Sequence, residues 1–166
     1  MNPLLKTLHA KWGFFIFICM KYLITEQQFK RINYNELNPK EQEDYNFAKI
    51  SSKLADYGYR TIRDFNDWGG VDFYCINRGC DLGEALKIQQ KGRLTFDKKY
   101  IGKNLYIAFE YKPTNTLYIY LHDELLNKLI LVTNIENTSS WMDKGKYTFK
   151  SISKPILDIL NQYKLD

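Results

Sequence analysis

Three polar residues are spaced so that they can share one face of a two-stranded sheet. Asp72 stands between Val71 and Phe73, so a strand that buries these two apolar side chains turns the carboxylate to the opposite face. Gln89 and Lys91, two positions apart, also share a face. If the two strands pair as a hairpin, Asp72 comes within reach of both. Carboxylate and amide oxygens beside an ammonium group would support metal-assisted hydrolysis.

The two segments that contain these residues have the pattern of a known nuclease core. The motif G-x-D (Gly70 to Asp72), followed after a spacer by Q-x-K (Gln89 to Lys91), resembles the core of the PD-(D/E)xK nuclease-like superfamily. The likeness covers approximately residues 38–121. The stretches QEDYNFAKISSKLADYGYRTIRDFNDWGGVDF, LKIQQKGRLTFDKKYIGKNLYIAF and LHDEL resemble a family of small bacterial proteins with that core.

The resemblance implies a role for each residue of the motif. Asp72 and Gln89 stand in the two positions that hold a divalent metal, Mg²⁺ or Mn²⁺, and Lys91 stands beside the attacking water. Gln89 departs from the pattern because an amide oxygen can coordinate a cation but carries no charge, so metal affinity should fall. The first helix often supplies a further acid, and Glu43 is the candidate. The alternative for Glu43 is that it only favours the helix dipole.

Two functions are therefore expected from the resemblance. The first is a metal-dependent nuclease that hydrolyses phosphodiester bonds in DNA or RNA. The second is a nucleic-acid-binding module that keeps the fold and has lost its metal chemistry through Gln89. A third reading is a protein anchored by its apolar N-terminal segment.

The charge balance is compatible with a nucleic-acid partner. The net charge is +5 and the isoelectric point is about 8.9, which also suits an ordinary soluble protein. Five basic residues are the candidate contacts with a nucleic-acid backbone: Lys49, Arg93, Lys98, Lys99 and Lys103. For the segment from 97 to 103, a solvated connection between strands is the alternative.

The helix that precedes the motif has clear start and stop signals. Asn38 is a good N-cap, Pro39 suits the first helical position, and Glu41 falls where the acid of a capping box belongs. Apolar residues then recur at spacings of three and four: Phe47, Ile50, Leu54 and Tyr57. Gly58 ends the helix.

After Gly58 the hydrophobic period changes to two. Five segments are predicted to be strands: 59–64, 71–76, 84–96, 105–109 and 117–121. In the long third strand, four apolar residues are expected to share one face: Leu86, Ile88, Leu94 and Phe96. The last two segments are expected to be interior strands.

Two helices complete the predicted pattern. The first covers 122–130 and the second 155–163, with Ser153 as its cap. His122 is expected to cap the first of them rather than to bind a metal with Asp123. The predicted fold is α/β (α+β) with a restriction-endonuclease-like core, in which a mixed central sheet of about five strands is flanked by helices.

The N-terminal segment is expected to lie outside the domain. Residues 1–36 are predicted to be an extension and 37–166 a single domain. The apolar run from Trp12 to Met20 is about half as long as a membrane-spanning helix. The favoured interpretation is translation from Met20, and the alternative is a signal or anchor.

Cysteine usage indicates a reducing compartment. Cys19, Cys75 and Cys80 form no CxxC pair, so neither a disulfide framework nor a thiolate zinc site is expected. Cys75 lies in a predicted strand, where it is expected to be a small buried hydrophobic residue. A cytoplasmic protein that does not associate with membranes is therefore predicted.

Asp64 and Asp67 are expected to serve the turn before Asp72.

Overall fold

The computed structural model of the protein describes residues 30–66, 68–79 and 84–165. The apolar N-terminal run, Cys19, Cys80 and Asp67 lie outside these ranges, and so does the expected start at Met20. The chain divides into two units between Gln42 and Glu43. Within the described ranges, no helix combines the length and apolar character that crossing a membrane requires.

In the first unit, the described residues form a short 3-10 helix, Tyr34–Glu36, and the start of helix α1, Pro39–Asp56. The predicted capping box is confirmed. The Asn38 backbone N–H donates to the Glu41 carboxylate at 2.8 Å, and the Glu41 N–H donates to the Asn38 side chain at 3.0 Å. These bonds satisfy two N–H groups that a helix start otherwise leaves without partners.

In the second unit, α1 buries most of its predicted stripe. Ile50 and Leu54 are buried, and Phe47 packs against the same cluster. Tyr57 was predicted to belong to this stripe, which is wrong, because its side chain is 43% exposed. The turn residues at the end of the helix carry Tyr57 off the buried face.

Besides short 3-10 helices, the described residues of the second unit form eight strands and three further α-helices. The strands are β1 (Tyr59–Arg63), β2 (Phe73–Asn77), β3 (Leu86–Lys91), β4 (Thr95–Asp97), β5 (Leu105–Tyr111), β6 (Thr116–Leu121), β7 (Lys146–Thr148) and β8 (Lys164–Leu165). The helices are α2 (His122–Ile130), α3 (Ser139–Lys144) and α4 (Lys154–Leu160).

Six of these strands form one mixed sheet in the order β1-β2-β3-β5-β6-β8. Strands β3 and β5 are parallel, and every other neighbouring pair is antiparallel. The predicted mixed central sheet flanked by helices is confirmed, with six strands where about five were expected. Strands β5 and β6 are interior, as predicted.

The predicted long third strand is wrong beyond Lys91. Strand β3 ends at Lys91, Gly92 and Arg93 form a turn, and β4 pairs with β7 in a separate two-stranded sheet. Ile88 therefore belongs to one hydrophobic cluster and Phe96 to the other. Because Gly92 interrupts the strand, the alternation of β3 does not carry over into β4.

The two hydrophobic clusters use alternate residues of the central strands. The α1 cluster contains Phe73, Cys75 and Ile88, whereas Ile107 and Phe109 of β5 belong to the larger cluster. Cys75 is fully buried, as predicted, and burial raises the pKa of its thiol to about 12. This thiol therefore stays protonated at neutral pH.

His122 was expected to cap α2, and this is wrong. Leu121 occupies the cap position, and His122 is fully buried in the first turn. Its Nδ1 pairs with Asp123 Oδ1 at 2.7 Å, while Nε2 accepts a hydrogen bond from the Asp97 backbone N–H at 3.3 Å. The imidazole therefore ties the end of β4 to the start of α2.

The C-terminal helical segment begins one residue before its predicted start and ends at the predicted residue, but its last turn is a 3-10 helix. Helix α4 covers Lys154–Leu160, and a 3-10 helix, Asn161–Tyr163, follows it. Ser153 occupies the predicted cap position, but its side chain makes no capping hydrogen bond.

Candidate functional site

Asp72 lies directly before β2, opposite Gln89 of β3. Its backbone N–H donates to the carbonyl of Ile88 at 2.9 Å, next to the pair that Phe73 and Ile88 form in the antiparallel register. The side chains then meet, with Gln89 Nε2 donating to Asp72 Oδ2 at 2.5 Å. The Gln90 backbone N–H donates to the same oxygen at 2.7 Å. The antiparallel strand ends therefore fix the carboxylate from two sides.

Tyr100 holds the other end of the Gln89 amide. The Tyr100 hydroxyl donates to Gln89 Oε1 at 3.0 Å, and both side chains are buried. Because the carboxylate of Asp72 accepts and the hydroxyl of Tyr100 donates, the two partners fix which end of the amide faces each of them. Tyr100, Gln89 and Asp72 thus form one hydrogen-bonded chain.

The glycine of the G-x-D motif makes room for this chain. Gly70 has a φ of +84°, and a Cβ at this position would lie 2.6 Å from Tyr100 Cε1. The Tyr100 ring is 1% exposed, so moving it would disturb the close packing of the core around it. A side chain at position 70 would therefore displace the residue that orients Gln89.

Lys91 lies on the same side of β3 as Gln89, at the end of the strand. Its Nζ is 5.3 Å from the centre of the Tyr100 ring. Burial lowers the pKa of Lys91, the negative charge of Asp72 raises it, and the nearby ammonium groups of Lys99 and Lys146 lower it further, with a net lowering. Lys91 thus lies in the electrostatic field of Asp72.

Glu43 is near the site through its backbone. The Gln90 side chain donates from Nε2 to the Glu43 carbonyl oxygen at 3.1 Å. This bond joins α1 to the end of β3, beside Asp72 and Lys91. The Glu43 residue itself is exposed. A metal-ligand role for its carboxylate remains a prediction.

Four of the five predicted nucleic-acid contacts lie near Tyr100 or in the turn after β3. Lys98 and Lys99 are exposed on the 3-10 helix Lys98–Tyr100, and Lys99 Nζ is 5.0 Å from the Tyr100 ring centre. Lys103 Nζ donates to the Gly69 carbonyl at 3.4 Å, next to the G-x-D motif. Arg93 is exposed in the turn between β3 and β4.

Lys49 lies elsewhere in the unit. Its Nζ contacts Glu110 Oε1, which joins α1 to β5. Lys49 is therefore not part of the lysine group around Tyr100.

The positions of the oxygen atoms around Gln89 Nε2 indicate whether the site could hold a cation. Asp72 Oδ2 lies 2.5 Å away and the Gln90 carbonyl oxygen 3.3 Å away, so an electropositive NH₂ group occupies the point where two hard oxygens converge. A half-turn of the amide would bring Oε1 to the same point. Hard oxygens of this kind suit Mg²⁺ or Mn²⁺, with one full negative charge among them. Within residues 30–66, 68–79 and 84–165, no group of three or more His, Cys, Asp and Glu is arranged to bind a metal.

Sequence reasoning missed two residues that shape the site. Tyr100 lies within the lysine-rich segment from 97 to 103, and nothing in the local sequence pairs it with Gln89. Lys146 comes close because β7 pairs with β4, and that pairing was not predicted. Tyr100 is buried although the lysines beside it are exposed, and this difference is not visible in the sequence.

Comparisons with known proteins give little further information. No family model matches the chain, and no curated protein matches it. Among solved structures, a bacterial homing endonuclease is similar over 52% of this chain and 67% of its own, with 15% identity and a TM-score of 0.37. This likeness is too distant to carry an argument about the chemistry of the site.

Proposed function

We propose that the chain is a metal-dependent nuclease that hydrolyses phosphodiester bonds in DNA or RNA. The observation that carries this proposal is the direct contact between Asp72 and Gln89, with Lys91 on the same side of the sheet. These are the residues of the G-x-D and Q-x-K motifs. Their approach in space supports the proposal more strongly than their spacing in sequence.

The donor set suits Mg²⁺ or Mn²⁺ bound with modest affinity. Asp72 would supply the charged oxygen, Gln89 the amide oxygen after its half-turn, and Glu43 a further carboxylate from α1. A bound divalent cation supplies an ionised water at neutral pH and neutralises charge on the non-bridging phosphate oxygens. One charged ligand in the central pair predicts weaker binding than two carboxylates would give.

Lys91 would stabilise negative charge beside the scissile phosphate. Its ammonium lies near Asp72, and its proton is less tightly held than in an exposed lysine because burial lowers the pKa. A buried cation interacts more strongly with a developing negative charge than an exposed one does. The exposed lysines at 98, 99 and 103 would contact the phosphates on either side.

The second candidate function is a non-catalytic nucleic-acid-binding module. It is favoured by the hydrogen-bonded chain from Tyr100 through Gln89 to Asp72, since that chain satisfies the buried amide without any cation. In this case the lysines bind the nucleic-acid backbone and Asp72 has only a structural role. Metal dependence separates the two functions.

A cleavage assay with matched variants tests the proposal. The protein is incubated with plasmid DNA, single-stranded DNA and RNA, in Mg²⁺, in Mn²⁺ and in chelator. Cleavage by the parent with metal, lost in Asp72→Ala and Lys91→Ala but kept in Lys154→Ala, is the expected result. Lys154 is an exposed lysine of α4, paired with Asp158, so its replacement controls for the change of charge. Binding without cleavage by every form would replace the nuclease with the binding module.

A further inference from the structure

A cavity of about 600 Å³ opens next to α1. Residues of α1, β5, β6 and β8 line it, together with Lys91 and Gly92 at the end of β3. Its volume is in the range of pockets that hold small organic ligands. Lys91 is the one residue of the candidate site that belongs to this lining.

The described lining of the cavity is mainly basic. It includes five lysines and two acids: Lys49, Lys53, Lys91, Lys112, Lys164, Asp56 and Glu110. Excess positive charge in a concave surface attracts and concentrates anions. The expected ligand is therefore anionic.

Glu110 arranges two of these lysines as a pair. Lys49 contacts its Oε1, and Lys112 Nζ lies 2.6 Å from its Oε2. The Glu110 carboxylate thus brings one cation from α1 and one from the turn after β5 to the same wall of the cavity.

The rest of the lining is suited to a nucleotide rather than to a bare anion. Ile50, Leu117 and Leu165 give it an apolar portion, and Asn115 and Thr116 add polar groups at the β5–β6 turn. Phosphate on the lysines and a base against the aliphatic side chains would match these two kinds of surface.

We propose that this cavity binds a phosphate-bearing nucleotide unit, either a free nucleotide or the phosphorylated end of a strand. In the second form the inference rests on the proposed function, because a strand end in the cavity would belong to the nuclease's substrate or product. The shared chemistry is a phosphate held by lysines next to an apolar surface.

Equilibrium binding in chelator tests the cavity without any metal or cleavage. The probes are adenosine 5′-monophosphate, a short single-stranded oligonucleotide with a 5′-phosphate, and the same oligonucleotide without it. The test variant is Lys53→Gln with Lys164→Gln. The control is Lys87→Gln with Lys154→Gln, which removes the same charge at two exposed lysines outside the lining.

The expected result is at least about a tenfold loss of affinity for the phosphorylated probes in the test variant, well beyond the loss in the control. Binding of the mononucleotide indicates a free-nucleotide site, whereas binding of only the phosphorylated oligonucleotide indicates a strand end. Equal loss in both variants, or no preference for the phosphorylated probe, overturns the inference.

The same variants separate this inference from the proposed function. If cleavage depends on Asp72 and Lys91 while the cavity variant binds like its control, the inference fails and the nuclease stands. If the cavity variant loses affinity while no form cleaves, the nuclease fails and the nucleotide site stands.

Discussion

Gln89 donates its side-chain N–H to the Asp72 carboxylate, with 2.5 Å between Nε2 and Oδ2. The proposed nuclease function requires these two residues to hold one divalent cation. A hydrogen bond and a cation satisfy the carboxylate by the same electrostatic attraction, but a single orientation of the amide serves only one of them. Substitutions at Gln89 can therefore show whether the Asp72 carboxylate binds the amide or a cation.

Replacing Gln89 by glutamate should make stability depend on metal. Gln89→Glu places a second carboxylate against Asp72 in a buried position, so in chelator the free energy of unfolding should fall by roughly 1–3 kcal/mol. Mg²⁺ or Mn²⁺ should then raise the unfolding temperature of the variant by more than that of the parent, since a ligand that binds the folded state stabilises it. Thermal unfolding with and without metal measures both effects.

Asp72→Ala in the Gln89→Glu background is the control for this prediction. It removes both the repulsion and the central metal ligand. Relative to Asp72→Ala alone, the double variant should therefore show neither the loss of stability in chelator nor the stabilisation by metal. Stabilisation by metal that is unchanged without Asp72 would mean that the cation binds elsewhere.

Two neighbouring glycines form a matched pair for testing the packing of Tyr100. Gly69 and Gly70 both have a positive φ, +72° and +84°, so alanine strains the backbone at either position. No atom lies within 4 Å of a Cβ at Gly69, whereas a Cβ at Gly70 meets Tyr100 Cε1 at 2.6 Å. Gly69→Ala should cost about 1 kcal/mol and Gly70→Ala about 1–3 kcal/mol more.

Chemical denaturation of the two glycine variants measures this difference. The near-ultraviolet circular dichroism of the Gly70 variant should also change, because the Tyr100 ring must move. Equal destabilisation at both positions would show that the contact with Tyr100 has no energetic weight.

The sequence was sufficient to predict the parts of the fold that local signals specify. Asn38 and Glu41 form a capping box over four residues, and the cap is found as predicted. The side of the sheet to which Asp72 and Gln89 point follows from strand alternation, and their meeting needed only an antiparallel pair. Both inferences depend on patterns within a single helix start or a single strand.

The parts that could not be predicted depend on long-range pairing. The two residues of β8 join the sheet through β6, and β7 joins β4 across about fifty residues of sequence. Tyr100 is eleven residues from Gln89, and their contact arises only because the chain turns at Gly92 and folds back. No local pattern of residues encodes such a return.

The lowered pKa of Lys91 predicts an alkaline limit on cleavage. Burial makes this lysine lose its proton at a lower pH than an exposed lysine does, so a reaction that needs the ammonium should decline as pH rises through that lowered value. Lys91→Arg should extend activity to higher pH if it keeps the geometry, because a guanidinium stays charged. The pH profile of cleavage at saturating metal measures the shift.

Stability should respond to Lys91 in the opposite direction from activity. A lysine whose folded pKa is lowered binds its proton less tightly in the folded state, so its charge destabilises the protein at neutral pH, and this penalty fades as pH rises through the folded pKa. Lys91→Met should therefore unfold at the same temperature as the parent or higher. A clear loss of stability in Lys91→Met would show that its contact with Tyr100 outweighs burial.

Glu110 should contribute stability at neutral pH that acid removes. Burial opposes its charge, but hydrogen bonds from Lys112 and Lys49 outweigh burial and lower the pKa of the carboxyl below its ordinary value of 4.5. A lowered carboxyl pKa stabilises the folded state above the unfolded value, and this contribution is lost as pH falls through the folded pKa. The free energies of unfolding of parent and Glu110→Gln should therefore differ most at neutral pH and converge below about pH 4.5. Urea unfolding at each pH measures this difference.

In the Glu110→Gln background, Lys112→Gln should change stability little, because the charge of its partner is already gone. A difference between parent and Glu110→Gln that stays constant on acidification would mean that the carboxylate stabilises the unit through packing rather than through its two lysines.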